Sequence, residues 1–181
     1  MKINLKLKTR ESSKTIKIQY IIDYMPSYLK SDDELSKKII DLKNYQPESI
    51  NFWTEIVCQT LKENQPFLIS CCPPSETIKN SGIKLLAQKV GIKKNLDMGV
   101  DLLFRSETVE KQHKRRKTIE EIKNTVKLIF DGEKIILNRH IFLLDDIISS
   151  GNTIYACSQI LLSHGARKVT ALALGQTKKI W

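Results

Sequence analysis

The residues best suited to chemistry lie in one stretch, Ile141-Phe142-Leu143-Leu144-Asp145-Asp146-Ile147-Ile148-Ser149-Ser150-Gly151-Asn152-Thr153. An apolar run of strand length leads into two adjacent aspartates. Two isoleucines follow, then a turn of small and hydroxylated residues. Ile154, Cys157, Ile160 and Leu161 then recur at helical spacing. In an open parallel sheet, ligands bind beyond the carboxyl ends of the strands. The two carboxylates would stand at that edge. The turn Ser149 to Thr153 would offer hydroxyls and successive N–H groups at a helix N-terminus, which is a cradle for phosphate. Gly151 supplies the freedom for positive φ. Carboxylates beside such a cradle are useful when they face sugar hydroxyls, a metal ion or a developing cation. A ligand with phosphate at one end and a hydroxylated, cation-forming part at the other has this polarity, as a ribose 5-phosphate does. The plainer alternative is a strand–turn–helix connection capped by Ser or Thr. It leaves two adjacent carboxylates at a strand exit without partners, which is costly. The chain has no GxxxxGK[ST] and no GxGxxG among its seven glycines. A P-loop NTPase and a dinucleotide fingerprint are therefore not expected.

Other elements must position this stretch. Alternation in Ile3, Leu5, Leu7 and again in Ile16, Ile18, Tyr20, broken at Arg10-Glu11-Ser12-Ser13, predicts a β-hairpin over residues 1–24. Ser31 and Glu34 read as a capping box ahead of a helix through Leu35, Ile39, Ile40 and Leu42. A second helix is expected from Glu48 to Lys62, burying Phe52, Ile56, Val57 and Leu61. The run Phe67 to Cys72, stopped by Pro73-Pro74, reads as a buried strand ending in a turn. A helix over 79–91 would point Ile83, Leu86, Ala87 and Val90 inward and end on Gly91. Val100 to Phe104 is a strand candidate, and Ile119, Ile122, Val126 and Ile129 form a helical stripe. Strands at 133–137 and 140–145, a helix at 152–164 and a strand from Lys168 to Leu174 complete the pattern. The alternation of strand and helix predicts an α/β fold with a parallel sheet flanked by helices. The continuous apolar strand Ile141 to Leu144 fits a sheet covered on both faces. Residues 1–64 are expected as a hairpin-plus-helix addition, and 65–181 as the core.

The 181 residues are 41% hydrophobic and 28% charged, an ordinary globular composition that argues against wholesale disorder. The net charge of +10 calls for an anionic partner. Half of that excess lies in the first nineteen residues, where Lys2, Lys6, Lys8, Arg10, Lys14 and Lys17 face only Glu11. This is either a solvated edge that discourages strand pairing or an arm that contacts nucleic acid. A second basic run, Lys111 to Lys117, includes Arg115 and Arg116. It reads as a solvated basic helix or as a flap. No apolar run approaches the roughly 18 residues of a membrane span, and the N-terminus has no signal-peptide core. Cys58, Cys71, Cys72 and Cys157 make neither a CxxC pair nor a zinc spacing. Free thiols in a reducing, cytoplasmic setting are expected.

The segment Leu143 to Thr153 resembles the phosphoribosyl-pyrophosphate (PRPP) motif of type I phosphoribosyltransferases: apolar strand, two acids, two mostly apolar residues, then Thr/Ser-Thr/Ser-Gly-x-Thr. The nearest subgroup is the ComF-like proteins, sometimes described as predicted amidophosphoribosyltransferases. The continuation His164-Gly165-Ala166-Arg167-Lys168-Val169 is similar to theirs, as is the order Gln112, Asn124, Phe130 ahead of the motif. The resemblance covers roughly residues 65–175. It implies that Asp145 and Asp146 hold the ribose hydroxyls, directly or through Mg²⁺, and that Ser149, Ser150, Gly151, Asn152 and Thr153 cradle the 5-phosphate. It places the pyrophosphate loop, often with a strained or cis peptide, at Ser70-Cys71-Cys72. The run holding Arg115 and Arg116 falls where the family has a hood, and these arginines would clamp phosphate oxygens.

The implied activity is transfer of the phosphoribosyl group to a base or amine with release of pyrophosphate. Loss of pyrophosphate leaves an oxocarbenium-like centre, which the carboxylates would favour. Basic groups and Mg²⁺ would stabilise the leaving diphosphate. The chain departs from the family in three ways. It has no N-terminal cysteine for glutamine chemistry, no zinc ribbon, and little sequence after the last strand for a base-binding element. Two other readings therefore stay open: a non-catalytic PRPP or nucleotide sensor or ComF-like DNA-handling accessory, and an interaction scaffold. A homodimer also stays open.

Overall fold

The computed structural model describes residues 8–12, 16–26, 33–61, 67–74, 81–106 and 118–177. The motif strand β7 (His140–Ile148) lies inside a six-stranded sheet. On one side it pairs with β3 (Phe67–Cys71), and β4 (Asp97–Met98) forms the edge beyond it. On the other side come β8 (Lys168–Thr177), β2 (Ile16–Tyr24) and β1 (Lys8–Ser12). All neighbours run parallel except β1 and β2, which are antiparallel. The α/β expectation with a mostly parallel sheet holds. β2 does more than close a hairpin: its Ile18 stands opposite Ala171 and its Ile22 opposite Gly175 of β8. Residues from the first 64 thus enter the same sheet as the motif strand. A two-stranded antiparallel ribbon, β5 (Leu103–Arg105) and β6 (Val126–Leu128), stands apart from this sheet.

Alternation along β7 sends its side chains to two cores. Ile141 and Leu143 pack with Ile154, Cys157 and Leu161 of α6 (Asn152–Ser163) and Ile122 of α4 (Ile119–Thr125). Phe142 and Leu144 pack with α1 (Glu34–Lys43), α2 (Pro47–Thr60) and α3 (Gly82–Lys94), through Ile39, Leu42, Trp53, Val57, Leu86 and Val90. Each fully buried aliphatic or aromatic side chain contributes about 1.5–3 kcal/mol relative to exposure. This double cover explains why β7 is apolar at four consecutive positions.

Several local expectations change. The cap of α1 is Asp33, whose carboxylate accepts the Ser36 N–H at 3.0 Å; Ser31 lies outside the described residues. In α2 it is Trp53 that is buried, and Phe52 lies half-buried with its ring edge-on to it. Gly91 is interior to α3, which ends on left-handed Asn95. A Cβ at Gly91 would stand 2.9 Å from Met98 and 3.2 Å from Ile69, so its absence lets α3 lie close on β3 and β4. The stripe from Ile119 breaks at Val126, where the chain leaves the helix and pairs with β5. The strand expected at 133–137 is instead a short helix, α5 (Gly132–Ile136). Of its apolar trio only Ile136 is buried, while Ile135 and Leu137 are exposed. At the start of α3, a Cβ on Gly82 would lie 2.0 Å from the Leu42 carbonyl oxygen, so α1 and α3 cross in backbone contact.

Candidate functional site

Neighbouring residues on an extended strand point to opposite faces, and Asp145 and Asp146 do so. Asp145 is half-buried on the α6 side, where the Cys72 thiol donates to its carboxylate. Burial, followed by repulsion from Asp146, pushes the Asp145 carboxyl up to about 7. Asp146 faces the α1 side and pairs with the Lys43 ammonium at 3.2 Å. Each carboxylate also accepts the next backbone N–H, Asp145 from Asp146 at 3.0 Å and Asp146 from Ile147. These bonds fix both carboxylates at the strand end.

Beyond β7 the chain turns into α6 through the hydroxyl-rich segment. Gly151 occupies the N-cap position with φ at 87°, the left-handed region that favours glycine. Ser150 Oγ accepts the Asn152 N–H at 3.3 Å, and Gly151, which has no side chain, adds no cap of its own. Asn152 and Thr153 form its first turn, half-buried, while Ser149 is exposed. The two aspartates and Ser149 to Thr153 therefore meet at one edge of the sheet.

The expected pyrophosphate loop differs in character. Ser70, Cys71 and Cys72 are all buried. Ser70 Oγ has no hydrogen-bond partner among the described residues, Cys71 Sγ donates to the Val100 carbonyl at 3.4 Å, and the Cys72 thiol shares a hydrogen bond with Cys157. Burial holds the Cys71 thiol up at about 12 and drives Cys72 well above its ordinary range, so both stay protonated. All four cysteines are free. The Cys72 N–H is taken by the Leu144 carbonyl at 2.8 Å, and Pro73 and Pro74 have no N–H to offer. No cis peptide occurs among the described residues. Arg115 and Arg116 lie outside the described residues.

Two cations near this edge escaped the sequence reading. Lys43 pairs with an aspartate 103 positions away. Arg105, half-buried on β5, donates from Nε to the Pro74 carbonyl at 3.0 Å and from Nη1 to Thr125 Oγ1 at 3.1 Å. These bonds use two of its five donors and hold the guanidinium against the turn after β3. No sequence signal marks Lys43. Arg105, next to a strand candidate and ahead of the basic run, carries a weak one.

Mg²⁺ takes oxygen ligands, commonly one or two carboxylates plus substrate phosphates. Asp145 and Asp146 diverge, and among the described residues no three His, Cys, Asp or Glu side chains are grouped to hold a metal. The donor set fits Mg²⁺ only as a companion of a ligand's own oxygens, with Asp146 as the available carboxylate. No described helix is long and apolar enough to cross a membrane.

Comparison with solved structures gives the class first: the chain has the α/β fold of the phosphoribosyltransferases. The likeness that carries this is to adenine phosphoribosyltransferase from Leishmania tarentolae, with a TM-score of 0.51 and 15% identity over 93% of this chain and 94% of that one. The Leishmania donovani adenine phosphoribosyltransferase overlaps at a TM-score of 0.49 and 14% identity, over 93% of this chain and 86% of that one. A hypoxanthine phosphoribosyltransferase from Staphylococcus aureus does so at 0.44 and 12%, over 80% and 69%. No protein-family model matches the chain. No curated protein matches it either.

Proposed function

We propose that the protein binds a ribose 5-phosphate, PRPP or a close relative, at the carboxyl edge of β7 and transfers the phosphoribosyl group to a base or amine. The observation that carries this reading is left-handed Gly151 at the start of α6, directly beyond a strand that ends in two fixed carboxylates. The phosphate would sit on the first turn of α6, where N–H groups and the helix dipole favour an anion. Asp146, held out by its bond to the Ile147 N–H, would take the ribose hydroxyls once Lys43 lets go. Asp145 would bind as a protonated or ionised carboxyl according to pH. Arg105, with donors left over beside the Pro73-Pro74 turn, would meet the diphosphate. Arg115 and Arg116 would add to it. Mg²⁺, when bound with the ligand at Asp146, supplies charge neutralisation at the diphosphate.

One observation favours a second reading within the same site. Lys43 already neutralises Asp146, and burial favours an uncharged Asp145, so the pair offers less negative charge to a cationic transition state than two free carboxylates would. This suits a ComF-like or sensor protein that binds PRPP without turning it over. Calorimetric titration of PRPP, with and without Mg²⁺, decides between them when paired with a pyrophosphate-release assay across a panel of bases. Binding with release supports the transferase, and binding without release supports the sensor. Absence of binding by the unaltered protein overturns both.

A further inference from the structure

A cavity of about 250 Å³ lies at the opposite, amino-terminal edge of the sheet. Its floor is the apolar face of three adjacent parallel strands: Phe67 of β3, Phe142 of β7 and Leu172 of β8. Helix α2 ends at Thr60, which with Leu61 bounds the cavity on one side. The floor is rich in rings. Phe67 and Phe142 have centroids 5.6 Å apart, and the His140 ring stands edge-on to Phe67 at 4.4 Å.

Polar groups line the cavity among these rings. Gln19 is only 9% exposed, so its amide serves the cavity more than bulk water. Thr170 Oγ1 lies 2.9 Å from His140 Nε2. Burial first, then the cations Lys168 and Arg167, lower His140 to about 4, which leaves a neutral imidazole at physiological pH. The charges acting on that ring are thus positive. Lys17 and Lys168 complete the lining, and among the described residues neither has a carboxylate partner. An aromatic floor, a buried amide, a neutral histidine and two ammonium groups form a coherent recognition set.

We propose that this cavity is a second binding site, for a planar aromatic ring that carries an anionic group. The ring lies against Phe67 and Phe142, its edge meets Gln19 and Thr170, and the anion stays at Lys17 and Lys168. The volume admits a nucleobase or benzene ring and leaves a bulky anion at the mouth. A nucleoside monophosphate and an aromatic carboxylate share this chemistry. The site is independent of the reading given for the carboxyl edge, since His140 and Asp145 are separated by five residues of extended strand, roughly 17 Å.

The test is an NMR titration of the full chain with adenosine 5′-monophosphate and, separately, benzoate. The expected result is saturable shifts of His140 and Phe142 with at least one probe. A response to the nucleotide alone points to nucleotides, and a response to benzoate points to carboxylates. Lys17→Gln with Lys168→Gln, which keeps most of each side chain's length at half-exposed positions, is expected to weaken that binding by roughly tenfold or more. Asp145→Asn with Asp146→Asn leaves it unchanged, which separates it from any nucleotide binding at the other edge. Shifts confined to Ser149 to Thr153, no shift of His140 with either probe, or full affinity in the lysine variant would overturn the proposal.

Discussion

The two ends of β7 make a controlled comparison, because one strand carries both. At its carboxyl end Asp145 is pushed toward its protonated form, and at its amino end His140 is pushed toward its unprotonated form. Burial is the leading cause in each case and favours the uncharged species of both groups. The neighbours differ. Asp145 has a second carboxylate beside it and one lysine nearby, whereas His140 has Lys168 and Arg167. Asp145 thus has a carboxylate and a cation for charged neighbours, while the charges that act on His140 are cations alone. Net charge alone does not reveal this division.

The largest expected effect sharpens the carboxyl end. Asp145→Asn with Asp146→Asn is expected to cost on the order of a hundredfold in affinity for PRPP, two hydrogen bonds to charged groups at about 1.5 kcal/mol each. Calorimetry reads this directly, and unchanged affinity would mean that the carboxylates do not touch the ligand. Next, Gly151→Val forces a β-branched residue to φ 87°. It is expected to destabilise the fold by about 1–2 kcal/mol, measured by urea unfolding, and to weaken PRPP binding as well.

A subtler test contrasts the two ends through pH. Asp145 moves from 3.8 to about 7, so between those values the native state holds a proton that the unfolded chain has lost, and stability falls as pH rises. His140 moves from 6.5 to about 4, so there the unfolded chain holds the extra proton, and stability rises with pH. From about pH 4 to 6.5 the two slopes oppose each other. Asp145→Asn should leave the rising slope and His140→Gln the falling one, read as urea midpoints across that window. Identical slopes in both variants would remove the contrast. The smallest effect belongs to Lys43→Ala. It breaks a partly exposed pair, costs less than about 1 kcal/mol, and should make PRPP binding more dependent on Mg²⁺.

Legibility in the sequence followed the range of the interactions. The β7–turn–α6 unit was readable because apolar run, acids, glycine and helical stripe are contiguous and each has a local cause. Lys43 was not, because its partner is far along the chain and nothing in Asp41-Leu42-Lys43 marks it. The strand expected at 133–137 failed for the opposite reason. Ile135-Ile136-Leu137 has local strand character, but only one of the three is buried, so tertiary context decided for a helix. Gly91 looked like a helix end, yet its cause is the approach of Met98 and Ile69 from other elements. The sequence presented Cys71 and Cys72 both as site candidates and as the end of a buried strand, and it is burial that keeps both thiols neutral.

The crossing at Gly82 has a consequence for heredity. Its missing Cβ is what allows the Leu42 carbonyl to come so near, and Lys43 is the next residue along. Any side chain at position 82 must push the end of α1 aside and carry the ammonium away from Asp146. A substitution in a helix with no ligand-facing atom would then behave as a change in ligand affinity. Variation tolerated at position 82 would in this way report on how much the protein depends on its internal counter-ion.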